Sequence, residues 1–547
     1  MIRILSVEEM KALETAAHAG GWTYADMMAK AGEAVAQAVL DRLPSPGGRR
    51  VVILTGSGNN GGDGLVAGRI LAESGMQVGV YLVRDRPADD PLMLAVRERG
   101  ALVVRGEDDR RFRVLADLIG ACDALIDAVL GTGFRLPLKS EVAEPLAAAG
   151  AALDERPKRP LLVAVDCPSG VDCDTGEAAP ETLPADVTVT LGALKPGLLR
   201  LPAARWTGQL VVADIGIGAY LKEWTGGDVG FVSAEDVRGW LPERRRDAHK
   251  GSFGTALLVA GSVNFPGSAL LAGRGAYRVG TGLVTLAVPG AIQSALVAGL
   301  PEATWIVLPE EVGVIAKGGA DVLRAEMGRV TAMLIGPGLG RQAATSEFLE
   351  RFLGNLEGTS RPALGFVHEP ESPIAGAHHL PPMVVDADGL RLLTGLSDWS
   401  RRLPPNSILT PHPGEMAALT KETTEAIQVD RLAAARAWAA QWGHVVVLKG
   451  AHTVVSAPDG RTAVLPFATA ALAHAGTGDV LAGAIVGLRA QGVEPYEAAV
   501  LGAYLHGRAG EIAAERRGGT DGVLAGDVAD GLPAAIAEIR SGGNVPT

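Results

Sequence analysis

Gly476-Thr477-Gly478-Asp479, followed by the apolar run Val480–Leu488, puts an anion site and a base into one turn of chain. Two glycines leave backbone N–H groups uncovered where a helix begins, and the unpaired N–H groups and dipole of a helix N-terminus hold anions. Asp479 can accept a proton there from a hydroxyl beside a phosphate. Phosphoryl transfer needs little beyond such positioning and charge stabilisation. The same helix end is expected to lower the proton affinity of Asp479 and keep it ionised at neutral pH. A plainer reading is a glycine-flexed loop with Asp479 as a cap.

A second set of polar residues lies at strand ends in the first half. Arg50–Thr55 reads as a buried strand, Gly56–Gly64 as a turn and Leu65–Ser74 as a helix. With Asp85 beyond the next strand, Gln77–Val83, the spacing matches a dinucleotide fingerprint. Asp63 speaks against a pyrophosphate there, because like charges repel; beside Asn59 and Asn60 it suits a polar ligand group or a cation. Two further strands, Ala124–Asp127 and Leu161–Asp166, lead into Val129–Phe134 and into Cys167-Pro168-Ser169. Loops beyond the C-terminal ends of parallel strands gather in one crevice. Asn60, Asp127 and Ser169 are therefore expected to meet around a hard monovalent cation, which favours such oxygen ligands. Taken singly, each is a turn or capping residue.

The elements that must carry these groups are α/β. A chain of 547 residues needs two or three domains, and 4% aromatic content leaves cores of Ala, Val and Leu, as in helices packed on parallel strands. The formal charge of −12 argues against nucleic acid as a partner. Cys122, Cys167 and Cys173 show no paired framework, no signal peptide is visible, and no apolar run reaches membrane-spanning length. A cytoplasmic, reducing location is expected.

The pattern loosens near Tyr220 and restarts after Arg244-Arg245-Arg246. Domains at 1–220 and 244–547 with a linker at 221–243 are expected. In the second half Gly336-Pro337-Gly338-Leu339-Gly340 forms a rigid turn, and Thr410–Glu415 is a strand end bracketed by prolines. Lys449–Thr453 turns into a hairpin reaching about Pro466, suited to covering a nucleotide, and 354–382 reads as a surface excursion.

Residues 1 to about 220 resemble the NAD(P)H-hydrate epimerases, through GSGNNGGDG, DAVLGTGF, VDCPSGVDCDTG and TLGALKPGL. From about 244 the chain resembles the ADP-dependent NAD(P)H-hydrate dehydratases, through HKGSFGTALLVAGS, IGPGLG, VDADGL, LTPHPGE, VLKGAHTVV and AGTGDVLAG. The resemblance implies a Rossmann-like and a ribokinase-like domain, each an α/β/α three-layer, acting on nicotinamide cofactor with water added across the ring. One domain would interconvert the R and S epimers; the other would dehydrate the S form with ADP and Mg2+. Asn59, Asn60, Gly61, Gly62, Asp63, Gly131, Thr132, Gly133, Phe134, Arg135, Leu136, Pro137 and Asp166 would contact the hydrated cofactor. Asn60, Asp127 and Ser169 would hold K+, with Asp127 and Asp166 candidates for proton transfer. Gly338, His412 and Asp479 would face the hydrated cofactor in the second domain. Lys449, Gly450, Ala451, His452, Thr453 and Gly478 would hold the nucleotide, Asp479 acting as base. His452 departs from the glycine common in relatives, and His412 also reads as a loop histidine between prolines. A homo-oligomer is expected. The competing reading is a small-molecule kinase of the same fold carrying a non-catalytic N-terminal ligand-binding domain.

Overall fold

The fold follows from short runs of Val, Leu, Ile and Ala that are apolar on both faces, the mark of parallel strands covered on both sides by helices. The structure, a computed structural model, describes residues 1–223, 229–354 and 380–542. Most of the stretch 354–382, read as a surface excursion, lies outside them. The chain divides into two compact units, one from Met1 to Phe231 and one beginning at Val232. The stretch 221–243 carries elements of its own, a strand Val229–Phe231 and a helix Ala234–Arg238 opened by a capping box at Ser233.

In the first unit helices α1 (Val7–Ala19) and α2 (Tyr24–Arg42) precede strand β1 (Arg50–Thr55) and helix α3 (Asn59–Glu73). Strands β2 (Gln77–Leu82), β3 (Leu102–Arg105), β4 (Ala124–Ala128), β5 (Leu161–Val165), β6 (Val187–Leu191) and β7 (Gln209–Ala213) complete a seven-stranded sheet in the order β3-β2-β1-β4-β5-β6-β7. Every pairing in it is parallel. Alternation splits β1 between two cores. Val51 and Ile53 pack with Val35, Val39, Leu65 and Leu71 of α2 and α3, while Val52 and Leu54 pack with Leu115, Ile119 and Leu146 on the other face. Three layers result.

Helix α3 starts at Asn59, six positions before the expected Leu65. The glycines read as a flexible turn are instead packing residues inside the helix. A Cβ on Gly64 would lie 2.5 Å from Ala128 Cβ, and one on Gly61 would lie 2.1 Å from the Gly56 carbonyl oxygen. The absent side chains let the helix lie directly on the sheet.

The second unit repeats the plan with β8 (Thr255–Val259), α4 (Gly267–Arg278), β9 (Leu283–Pro289), β10 (Thr304–Leu308), β11 (Ala332–Ile335), β12 (Met383–Val385) and β13 (Ile408–Leu409). Then come α5 (Pro413–Thr420), β14 (Val445–Leu448), β15 (Val454–Ser456), β16 (Thr462–Val464), α6 (Thr477–Ala490), α7 (Pro495–Arg517) and α8 (Ala525–Ser541). Its strands run β16-β15-β14-β13-β12-β11-β8-β9-β10, antiparallel only across β14-β15-β16. Leu258 faces α4, α6 and α7; Leu257 and Val259 face Phe348 and Phe352 of the helix Ala343–Leu353. Among the described residues no helix is long and apolar enough to cross a membrane.

Helices α4 and α6 touch through backbone. A Cβ on Gly483 of α6 would lie 2.0 Å from the Ala272 carbonyl oxygen of α4, and one on Gly275 would lie 2.4 Å from that of Val480. Gly483→Ala should therefore push the helices apart, costing about 1–3 kcal/mol of stability. Because the turn expected to hold an anion leads α6, the same variant should also bind adenine nucleotide more weakly. Thermal melting and nucleotide titration check both.

Candidate active sites

In the first unit the order places β1 and β4 side by side while their crossovers leave in opposite directions, the place where an open α/β sheet holds ligands. A cavity of about 430 Å³ lies there. Asn59, Asn60 and Asp63 reach it from α3, Gly131 to Phe134 from the loop after β4, and Asp166 from the end of β5. Gly61 and Gly62 face packing instead, with the Met28 side chain against Gly62, and Arg135, Leu136 and Pro137 do not line the cavity. Asp85 takes no part: it pairs with Arg105 at the surface. The carbonyls of Gly56 and Gly58 accept from Arg86 at 2.9 and 3.0 Å.

Asn60, Asp127 and Ser169 meet around the Leu130 peptide. Ser169 donates to Asp127 from its N–H at 2.8 Å and its hydroxyl at 2.5 Å. The Leu130 N–H donates to Ser169 Oγ at 2.9 Å, and Asn60 Nδ2 donates to the Leu130 carbonyl at 3.0 Å. Asp127 is 0% exposed, and burial pushes its proton affinity up despite these bonds. No Lys or Arg pairs with it among the described residues, so a buried carboxylate stands among neutral oxygens. That donor set fits a hard monovalent cation. Asp127 does not itself line the cavity, which bears against its candidacy as the proton-transfer group.

Asp166 does line it, at φ +62°, a left-handed conformation that a non-glycine residue adopts only when its surroundings impose it. Lys195 imposes it. Its ammonium, 1% exposed, donates to Asp166 Oδ1 at 2.5 Å, to Thr190 Oγ1 at 3.1 Å and to the Leu191 carbonyl at 2.9 Å. Burial is the largest single influence and would lower the Lys195 pKa, but the Asp166 charge, the hydrogen bond to it and the nearby Cys173 and Cys167 together outweigh burial and raise it. Asp63 is held well above the usual carboxylate range by burial, then by the charges of Asp166 and Glu14. Sequence reasoning assigned neither Lys195 nor Glu14. Lys195 stood just past a strand end before Pro-Gly, the same signal that marked Asp127 and Asp166.

In the second unit a cavity of about 620 Å³ lies beyond the ends of β13 and β14 and beside the start of α6. His412, Lys449, Gly450, Ala451, Thr453 and Gly478 all line it. Lys449 donates to Asp386 Oδ1 at 2.6 Å, an oxygen that also accepts from Thr410 at 2.7 Å, and lies 3.8 Å from Glu415. A Cβ on Gly478 would stand 3.5 Å from the Lys449 ammonium and 4.0 Å from Asp386 Oδ2, so the pair and the cavity adjoin across that glycine. His412 caps α5, its Nδ1 accepting from the Gly414 and Glu415 N–H groups at 3.0 and 3.3 Å. Nδ1 is thus unprotonated, and burial keeps the ring neutral. Gly338 packs against Phe265 and Ser268, and Ser268 hydrogen-bonds Asp479.

Two expectations are corrected here. Asp479 is raised to about 7, by burial first and then by the Asp386 charge, with Ser268 and Lys449 pulling the other way. Desolvation outweighs the helix end that was expected to keep it low. His452 is 4% exposed and bonds its Nδ1 to the Leu465 carbonyl at 3.2 Å. Its imidazole lies under the hairpin, outside the cavity residues. Asp386, Glu415 and Ser268 were not assigned from sequence; Asp386 was visible only as a strand end.

Residues 24–197 match the family model described as YjeF-related protein N-terminus, and residues 256–534 that described as NAD(P)H-hydrate dehydratase. The chain is 38% identical over 502 residues to the bifunctional NAD(P)H-hydrate repair enzyme Nnr of Moorella thermoacetica, covering 90% of this chain and 88% of that one. It is 33% identical over 512 residues to the protein so named in Escherichia coli, covering 93% and 88%. A solved ADP/ATP-dependent NAD(P)H-hydrate dehydratase from Bacillus subtilis, co-crystallized with ATP/Mg2+, is 33% identical over 57% of this chain and 99% of its own, with a TM-score of 0.45.

The Asp479 environment has a consequence for stability. With a native pKa near 7 against an ordinary value of 3.8, the folded state holds an extra proton between those pH values. Stability therefore falls as pH rises through that window, and the full penalty stands above it. Asp479→Asn should match the parent near pH 4 and exceed it near pH 8, by about 2–4 °C in Tm for each kcal/mol relieved. Melting curves across that range check it.

Proposed function

The chain belongs to the bifunctional NAD(P)H-hydrate repair enzymes, and from that membership we propose how its two units divide the chemistry. The first unit interconverts the R and S forms of hydrated NADH or NADPH in the cavity beyond β1, β4 and β5. The second removes water from the S form at the expense of ADP. A hydroxyl is a poor leaving group, so it is phosphorylated first. The terminal phosphoryl passes from ADP to the C6 oxygen, leaving AMP. Loss of the phosphate with the C5 proton then restores the ring double bond.

The observation that carries the second assignment is Asp479. It is raised to about 7 and set one residue past the N–H groups that open α6, with the Lys449–Asp386 pair beside it. A base of that strength is ionised in about half the molecules at neutral pH and takes the hydroxyl proton readily as the phosphoryl arrives. Lys449, Gly450 and Thr453 cradle the nucleotide, and the α6 N-terminus takes its phosphates. Among the described residues no group of three or more His, Cys, Asp or Glu is arranged for a metal. Mg2+ would enter with the nucleotide and would supply neutralisation of its phosphate charge beside Lys449 and the start of α6. In the first unit Asp127, Ser169 and Asn60 would hold K+, which would balance the buried carboxylate and fix the loop that faces the substrate.

Supplying both epimers with and without ADP and following nicotinamide absorbance tests the whole reading. Asp479→Asn should lower dehydration about 10²- to 10⁴-fold while ADP affinity stays within a few-fold. In the parent the dehydration rate should climb as pH rises through about 7, as the base loses its proton. A kinase would instead leave a stable phosphorylated product. Asp127→Ala should impair epimer exchange and spare ADP-dependent dehydration of the pure S form; joint loss in a folded variant overturns the division of labour.

A further inference from the structure

We propose that Asp63 delivers the proton that drives epimerisation, and that Lys195 is a positioning residue that fixes Asp166 as the complementary base. This rests on the reading of the first unit as the epimerase.

The cavity gathers three carboxyl groups, Glu14, Asp63 and Asp166, around one buried ammonium. That ammonium is committed. Lys195 bonds Asp166, and Thr190 and the Leu191 carbonyl hold it in place. Among the described residues every hydrogen bond to the Asp166 carboxylate falls on Oδ1: Lys195 at 2.5 Å, Leu191 N–H at 3.1 Å and Thr190 at 3.4 Å. Oδ2 is left for a substrate. Asp63, on the first turns of α3, is 6% exposed, lines the same cavity, and makes no side-chain hydrogen bond or ion pair among the described residues. Two acids in one site, one with a cation and one without, divide into base and acid. The other charged groups near them are Glu14, Lys11 beside it, and Arg84 on the rim. The thiols of Cys167 and Cys173 lie near Lys195.

The carbon to be inverted bears a hydroxyl next to the ring nitrogen. Asp63 protonates that hydroxyl, the C6–O bond breaks, and the nitrogen lone pair closes an N1=C6 double bond as water leaves. Water then adds to the opposite face of C6 while Asp166 Oδ2 takes its proton. The ring returns to neutral. The proton lost by Asp63 is matched by the one gained by Asp166, and catalysis in the other direction reverses the two roles. No oxidant or reductant is needed, and the carboxylates balance the cationic ring between the steps.

The test uses the full chain and pure S epimer without ADP, with exchange to R followed by chromatography in ¹⁸O-labelled water. Asp63→Asn should cut the exchange kcat about 10²- to 10⁴-fold with KM within a few-fold, and leave ADP-dependent dehydration of the S form intact. Lys195→Met should cut the exchange kcat with KM within a few-fold, because Asp166 loses the bond that fixes it; a lysine that only shapes the cavity would raise KM and leave kcat unchanged. Each R molecule formed should carry solvent oxygen. Near-parental exchange by a folded Asp63→Asn protein, a Lys195→Met protein changed in KM alone, or epimerisation that retains the original oxygen overturns the proposal. A parent protein that exchanges no epimers removes the epimerase reading itself.

Discussion

A lysine ammonium buried against an aspartate at the end of a parallel strand is the constraint on which each site depends. Lys195 pairs with Asp166 at 2.5 Å in the first unit and Lys449 with Asp386 at 2.6 Å in the second. Taking such ions out of water is costly, and removing one partner leaves the other uncompensated, at about 3–5 kcal/mol. That cost explains the neighbours. Thr190, Leu191 and Thr410 all turn donors or acceptors onto these pairs. It also explains the acids beside them. Each ammonium is spent on its own partner, so Asp63 and Asp479 lie close to a negative charge without a full counter-charge. Burial first, and these neighbouring charges second, make both hold their protons to higher pH than an exposed carboxylate does.

The sequence made the strand ends legible because the physics there is local. Runs such as Val51–Leu54 and Leu161–Val165 are apolar on both faces and stop at a polar residue, so Asp127, Asp166 and Asp386 mark the open side of each sheet. The start of α3 was not legible. Glycine at 61, 62 and 64 reads as a turn when only chain neighbours are considered. What decides is Ala128, Met28 and the Gly56 carbonyl, which fill the space a side chain would need and come from other elements. Asp85 misled for the same reason, since its partner Arg105 lies on a neighbouring strand end.

Protonation was the least legible property. A helix N-terminus stabilises a carboxylate by about 0.3–1 kcal/mol, an effect written in the residues adjoining Asp479. Burial shifts a pKa by up to about 3–5 units and is set by what packs overhead. The larger effect prevails, and it turns Asp479 from a weak base into one matched to neutral pH. His452 makes the same point through geometry. It takes φ +50° where glycine is the easier choice, and the Leu465 carbonyl anchors its imidazole under the hairpin. The His452 imidazole therefore packs against the hairpin rather than lining the neighbouring cavity.

The turn that opens α6 owes its order to side-chain bonds onto backbone carbonyls and to close backbone packing. Gly476 enters α6 at φ +88°, and the Thr477 hydroxyl bonds the carbonyls of Leu472 and His474 at 2.8 and 2.9 Å. From α7 the His506 Nε2–H donates to the Thr477 carbonyl at 2.8 Å. Further along, Gly483 and Gly275 let α6 rest on α4 with no side chain between them. A helix held at its first turn and its middle cannot slide to meet a phosphate. On the proposed reading its N–H groups would be fixed before transfer, so little reorganisation would be needed, and fixed donors of this kind are usually the largest contributors to stabilising a transition state. Small residues along α6, which could pass for mere flexibility, are what let the helix that carries this turn pack directly on α4.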